Sequence, residues 1–252
     1  VTENNIQENF SSNTIQQIEL EIPEIAVTKG AVTSDNTADV YSPATVGPVS
    51  FSAPGSVGTR FAGSITSATL GTNPINSDVS ALDGSDIVTF AVVVENNGKG
   101  DSYETRIKDT LPSGLVVPGG GLNLTVTDGT GSAVPYTNVG GGTGLFDQGI
   151  ELTNAINDTA ATAGTNIVVL TYDLEIDSTA IVNRTYTNNA QVTKFAALPA
   201  GVNYMNNQAS YQDDADVTLQ TITGTKSVTA TSNADTTGNN VVVAEEITYT
   251  LT

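Results

Sequence analysis

Lysine is scarce in this sequence, five residues in 252, and two of the five share one local setting. Lys29 lies in Ile25-Ala-Val-Thr-Lys-Gly-Ala-Val-Thr-Ser34, and Lys226 in Ile222-Thr-Gly-Thr-Lys-Ser-Val-Thr-Ala-Thr-Ser232. A lysine amine becomes a nucleophile only when neutral, and burial in apolar surroundings favours that state. A neutral amine, an asparagine amide and an acid that polarises the amide are the ingredients of an isopeptide bond. Asp109 follows Ile107 by two, so in a regular strand it shares that residue's face. Asn188, Asn189 and Asn207 stand on later strands, and the crosslink set is Lys29, Asp109 and Asn189. Competing readings give these residues ordinary work. Lys29 is then an exposed lysine near a strand start, Asp109 accepts backbone N–H bonds in the following turn, and Asn189 is a ladder or turn residue.

Other chemistry is limited by what the chain lacks. It has no His, Cys or Trp. The commonest general base and transition-metal ligand are therefore missing, and disulfides and thiolate metal sites are excluded. The glycine runs Gly119–Gly121 and Gly140–Gly142 lack the lysine and helix start of a phosphate loop, so they read as loops. Carboxylates recur in Asp35–Asp39, in Asp83-Gly-Ser-Asp86 and in Asp213-Asp214-Ala-Asp216. Ca²⁺ takes six to eight oxygens from such groups, so Asp213, Asp214, Asp216, Asp83 and Asp86 are candidate ligands. None fits the EF-hand spacing, and the alternative is a solvated acidic loop. These readings point away from an enzyme.

The elements that must position these residues are strands. Helical periodicity is nearly absent, and short runs rich in Val, Ile, Thr, Tyr and Phe alternate with Gly, Asn, Asp and Pro clusters. This pattern predicts an all-β, antiparallel immunoglobulin-like sandwich. Strands are expected at Ile87–Glu95, from Arg106 to Asp109, at Leu122–Asp128, Asn166–Ile176 and Thr185–Thr193, and at Asn207–Tyr211 with Asp216–Gln220. One helix is expected at Leu152–Ala161.

Leu82-Asp-Gly-Ser-Asp-Ile-Val-Thr-Phe-Ala-Val-Val-Val-Glu-Asn-Asn-Gly98, followed by Ile107-Lys-Asp-Thr-Leu-Pro-Ser-Gly-Leu115 and Thr187-Asn-Asn-Ala-Gln-Val192, resembles the DUF11-type repeat of bacterial and archaeal surface proteins. The resemblance covers about residues 81–193. It implies an immunoglobulin-like sandwich in tandem arrays on the cell surface or outside the cell. Some surface sandwiches of related type join a first-strand lysine to a last-strand asparagine with the help of a buried acid. Residues 36–72 depart from a minimal repeat and read as an insertion containing an added hairpin.

The recurrence of the lysine segment divides the chain. Residues 1–22 read as the closing strand of a preceding repeat or as a donor strand for a neighbour. Residues 23–221 form one complete sandwich, and residues 222–252 form the opening strands of the next. In the donor reading, Ile15, Ile18, Leu20 and Ile22 fill the neighbour's groove. A net charge of −19 opposes nucleic acid and anionic lipid. No apolar run reaches about 18 residues, so no membrane insertion is expected. The expected object is a repeat unit of an extracellular filament, stalk or surface layer, assembling end to end by strand pairing with its own kind. The alternative is an adhesin domain for a glycan or host protein, with its site in the insertion and the glycine loops.

Overall fold

The computed structural model describes residues 21–160, 162–205, 211–220, 226–232 and 245–251. Its elements in chain order begin with β1 (Ile25–Ser34), β2 (Val40–Ser42), β3 (Ser50–Phe51), β4 (Phe61–Ala62), helix α1 (Ser67–Thr72), β5 (Asp78–Leu82), β6 (Ile87–Asn96) and β7 (Tyr103–Thr110). They continue with β8 (Leu115–Val116), β9 (Thr125–Asp128), β10 (Tyr136–Asn138), β11 (Ile150–Leu152), β12 (Ile167–Ile176), β13 (Thr185–Ala196), β14 (Gln212–Leu219), β15 (Lys226–Thr231) and β16 (Ile247–Leu251).

Two sheets pack into a sandwich. The first runs β1-β6-β12, with β8 and β9 on the far edge of β12; the second runs β10-β11-β7-β13-β14-β5-β2. The fold is all-β, as the residue pattern implies, and β3 and β4 form the added hairpin within the insertion. Among the described residues, all strand pairings are antiparallel except β14 with β5.

β6 and β12 are apolar along almost their whole length because both of their faces are covered. Inward, Phe90, Val92, Leu170 and Tyr172 meet Ile107, Ala190, Val192 and Val217 of the second sheet. Outward, Ala91, Val93, Ile167 and Val169 meet Phe61, Ile65 and Leu70 of the insertion and Ile75 just after it. The insertion is therefore a third layer over the first sheet. Its helix α1 starts at a capping box: Thr66 Oγ1 accepts from the Thr69 N–H at 3.2 Å, and Thr69 Oγ1 accepts from the Thr66 N–H at 2.9 Å.

Three expectations need correction. Residues 152–161 form no helix. Ile150 and Leu152 alternate inward on β11, and Ile156 makes an isolated bridge to Ser102. The Asn154, Asn157 and Asp158 side chains in that stretch favour turns over helix. The strand expected from Leu122 begins only at Thr125, because Asn123 sits in the left-handed region at φ 50°. Asp213, Asp214 and Asp216 lie on strand β14 rather than in a loop.

Candidate functional site

β1 carries an alternating inward series: Ile25, Val27, Lys29 and Ala31. Its period of two drives Lys29 into the apolar interior, where the side chain is 0% exposed. Gly30 follows because residues 76–77 cross directly above it. A Cβ there would lie 2.8 Å from the Ser77 backbone nitrogen. On β7, Thr105, Ile107 and Asp109 point inward by the same rule, and Asp109 is also 0% exposed.

Lys29 Nζ donates to Asp109 Oδ2 at 2.7 Å. The Tyr172 hydroxyl donates to the same oxygen at 2.5 Å. Asn188 Nδ2 donates to the Tyr172 hydroxyl oxygen at 2.9 Å. β1, β7, β12 and β13 thus each place one polar side chain in a single buried constellation between the sheets. Both the Asp109 Oδ1 and Asn188 Oδ1 atoms are buried without a hydrogen-bond partner. The amine also lies 5.5 Å from the Phe90 ring centroid and 5.6 Å from that of Tyr172. Phe90 stacks on Tyr172, and Phe146 meets it edge-on.

Burial pulls the Lys29 ammonium down to about 8, against the opposing pull of the Asp109 carboxylate. At that value about a tenth of the amines are neutral at pH 7, against fewer than about one in a thousand for an exposed lysine. Burial, and then the charge of Asp109, push the Tyr172 phenol upward, so it remains a protonated donor.

The structure brings Lys29 and Asp109 together and turns Asn188 inward, not Asn189. Asn189 stands opposite Thr110 and Asp214 in the ladder and is half-buried. Strand parity carries the correct choice: Asn188 is in phase with Ala190 and Val192, whereas Asn189 is in phase with Gln191. Asp109 does not cap the following turn. Tyr172 was not among the residues singled out from sequence. Its signal is a phenol in the apolar run Val168-Val-Leu-Thr-Tyr-Asp-Leu174, where a buried hydroxyl needs a partner.

Four of the five carboxylates considered for Ca²⁺ accept from protein donors. Asp213 Oδ2 accepts the Lys29 backbone N–H at 2.7 Å, and Asp216 Oδ1 accepts the Thr187 hydroxyl. Asp214 is exposed on the opposite face of β14 from Asp213. Asp86 Oδ2 accepts from the Asp83 N–H and from Asn36 Nδ2, while Asp83 Oδ1 accepts from Gln220 Nε2. Among the described residues, no group of three or more His, Cys, Asp or Glu side chains could hold a metal ion. Of the donor-strand residues, Ile15, Ile18 and Leu20 lie outside the described residues, and Ile22 is 38% exposed. Among the described residues, no helix is long and apolar enough to cross a membrane.

A second buried charge pair lies on the other face of the first sheet. Arg60 Nη2 donates to Asp173 Oδ1 at 2.7 Å and to Thr89 Oγ1 at 3.0 Å. Asp173 also accepts from Thr89 Oγ1, Asn123 Nδ2 and the Gly55 N–H. Burial works against the Asp173 carboxylate, but these bonds hold it below the usual carboxylate range. This cluster clamps the insertion to β6 and β12. A cleft of about 790 Å³ lies elsewhere, lined by Glu104, Asp128, Glu151 and Leu152 among others.

No family model matches the chain, and comparison with curated proteins finds no match. Several solved structures are similar. The RrgB pilus backbone of Streptococcus pneumoniae is 19% identical over 48% of this chain and 45% of its own, at TM-score 0.33. The T6 backbone pilin of serotype M6 Streptococcus pyogenes is 12% identical over 84% and 39%, at 0.39. A collagen-binding domain from a Staphylococcus aureus adhesin is 16% identical over 55% and 93%, at 0.30. The chain thus spans less than half the length of either pilin structure. Every one of these scores is below 0.5.

Proposed function

We propose that this chain is a load-bearing sandwich unit of an extracellular fibre, in a filament, stalk or surface layer, and that it locks itself with a covalent bond between Lys29 and Asn188. The observation that carries this reading is the buried Lys29, Asp109, Tyr172 and Asn188 constellation. It spans both sheets and joins the first strand of the sandwich to a strand near its end.

The chemistry follows from the residues present. Asp109 takes a proton from the Lys29 ammonium, leaving a neutral amine and a neutral acid in surroundings that disfavour separated charge. The amine attacks the Asn188 side-chain carbonyl carbon while the acid proton stabilises the developing oxyanion. The C–N bond to the amide nitrogen then breaks. The Lys29 nitrogen gives up its remaining extra proton through Asp109 to the departing group. One amide bond forms, one ammonia leaves, and Asp109 ends as the neutral acid, carrying the proton it took from the lysine. Tyr172 orients both reacting groups by bonding Asp109 and Asn188 at once.

The path of the chain supports the load-bearing role. Residues 22–24 bond the Asn96 end of β6: the Gly100 N–H donates to Ile22 O and the Asn97 N–H to Glu24 O. The Gln220 N–H bonds Leu82 O, beside the Ile87 end of the same strand. Chain entry and exit therefore lie at opposite ends of a ten-residue strand, about 30 Å apart. Such a unit transmits tension along its length. The high negative charge, the absence of Cys and the DUF11-type motifs support placement outside the cell. Division of the chain into residues 1–22, 23–221 and 222–252 fits the same picture of a tandem array.

Intact-protein mass tests the lock. The expected value is about 17 Da below the sequence mass, one ammonia, with a branched peptide joining Lys29 to Asn188. A full sequence mass in the folded protein overturns the crosslink.

A further inference from the structure

The hairpin β15–β16 reproduces the pairing of β1 with β6 residue for residue. Lys29 stands opposite Val92, Gly30 opposite Ala91 and Ala31 opposite Phe90; a bulge follows, and Thr33 and Ser34 then face Thr89 and Val88. In the hairpin, Lys226 stands opposite Leu251, Ser227 opposite Thr250 and Val228 opposite Tyr249. A bulge follows at the same step, and Ala230 and Thr231 face Thr248 and Ile247. Bulges re-aim the side chains around them and are specific features of a strand pair rather than generic ones. An unrelated two-stranded ribbon has no reason to place its bulge two residues after its only lysine.

The correspondence extends to the chemistry around that lysine. Tyr249 takes the place of Phe90, whose ring lies beside the Lys29 amine and stacks on Tyr172. Val228 takes the place of Ala31. In the complete sandwich Ala31 and Phe90 are 0% exposed, whereas Val228 and Tyr249 are 48% and 47% exposed. Among the described residues, the hairpin therefore presents the inner face of an opening strand pair with no layer covering it. Two strands alone are marginal in water, so the pattern calls for that layer.

We infer that β15–β16 is the opening pair of a second sandwich of the same build, and that Lys226 is the amine which that sandwich crosslinks. The occupant is further polypeptide of the same array. It supplies a β12-like strand beside β16 and a facing sheet with an acid and an asparagine at the places of Asp109 and Asn188. A second copy of residues 1–252 is the poorer occupant, because its own β7, β12 and β13 are already engaged by its β1 and β6. The covalent step balances as in the first unit: the Lys226 amine and an asparagine side-chain amide give one isopeptide bond and one ammonia. The inference rests on the crosslink proposed for Lys29, and the two are read separately below.

The test uses the parent protein as its own cell makes it, denatured and digested with trypsin, which cuts after lysine only when the amine is free. The expected result is no cut after Lys226 and a branched peptide joining Lys226 to an asparagine-bearing peptide, one ammonia lighter. A linear peptide ending at Lys226 overturns the second crosslink whatever happens at Lys29. A free Lys29 beside a branched Lys226 overturns only the first. Hydroxyl-radical footprinting of the same protein reads the sandwich itself. Val228 and Tyr249 should be labelled as weakly as Ala31 and Phe90, and labelling at the level of exposed residues refutes the covering layer.

Discussion

Replacing Asn188 with alanine removes the acceptor of the crosslink while leaving Lys29, Asp109 and Tyr172 bonded to one another, so it isolates the covalent contribution. A bond between residues 29 and 188 closes a loop of roughly 160 residues, and loop closure of that length restricts the unfolded chain by about 5 kcal/mol. Loss of the hydrogen bond from Asn188 to Tyr172 adds about 1 kcal/mol. For a domain of this size each kcal/mol moves the midpoint by roughly 2–4 °C. The expected fall in Tm for Asn188→Ala is therefore about 12–24 °C by differential scanning calorimetry. The variant's intact mass should equal its sequence mass. Asn189→Ala, on the outer face of the same strand, should keep the ammonia deficit and most of the Tm. The reasoning is refuted if Asn188→Ala melts within about 3 °C of the parent, or if it still shows the ammonia deficit.

Asp109→Ala should abolish the ammonia loss although Lys29 and Asn188 are both present, as read by intact mass. Asn188→Ala keeps an unreacted Lys29 whose pKa near 8 lies below its unfolded value. The unfolded chain then binds the extra proton between about pH 8 and 10, so this contribution makes the variant more stable as pH rises through that window. Tyr172, held protonated by burial, opposes the trend above about pH 10, so urea unfolding at pH 7.5 and 9.5 is the comparison that reads the sign. Arg60→Met strands the buried Asp173 carboxylate and should destabilise the protein by about 3–5 kcal/mol, with early proteolysis between residues 47 and 75. Under force applied at residues 22 and 220, the crosslinked unit should withhold the length of the roughly 160 residues between Lys29 and Asn188, about 570 Å at full extension. Lys29→Ala should release that length in single-molecule stretching.

Much of this arrangement is legible from period-two parity. Ile25, Val27 and Ala31 announce the inner face of β1 and therefore the burial of Lys29. Ile107 does the same for Asp109, and Ala190 with Val192 selects Asn188 over its neighbour. Tyr172 is harder to find, because β12 is apolar on both faces and parity loses its contrast there. The reason for that double-sided apolar character is the insertion, whose layer over β6 and β12 depends on long-range packing of Phe61, Ile65 and Ile75. Arg60 and Asp173 escape notice for the same reason: 113 residues apart, they meet only once the third layer is in place. The carboxylates of β14 misled as a cluster because a loop gathers neighbouring side chains whereas a strand sends them to opposite faces.

The two buried charge pairs explain each other. Asp173, beside Arg60, accepts from four donors. That pair has no nucleophile, and its one unpaired buried atom is a donor, Arg60 Nε. Around Lys29 the unpaired atoms are acceptors instead: one oxygen of Asp109 and one of the neighbouring Asn188. A buried ion pair with unmet acceptors is destabilising relative to an apolar replacement, so stability alone does not account for it. Amide formation changes the balance: the lysine charge disappears, Asp109 has no cation left to neutralise and can hold its proton, and that proton meets a carbonyl in place of an empty acceptor. In the proposed reaction, the unpaired oxygens mark where it ends. If an unreacted Asn188→Ala chain proves as stable as the parent, the constellation is a simple ion pair and this account of its cost is wrong.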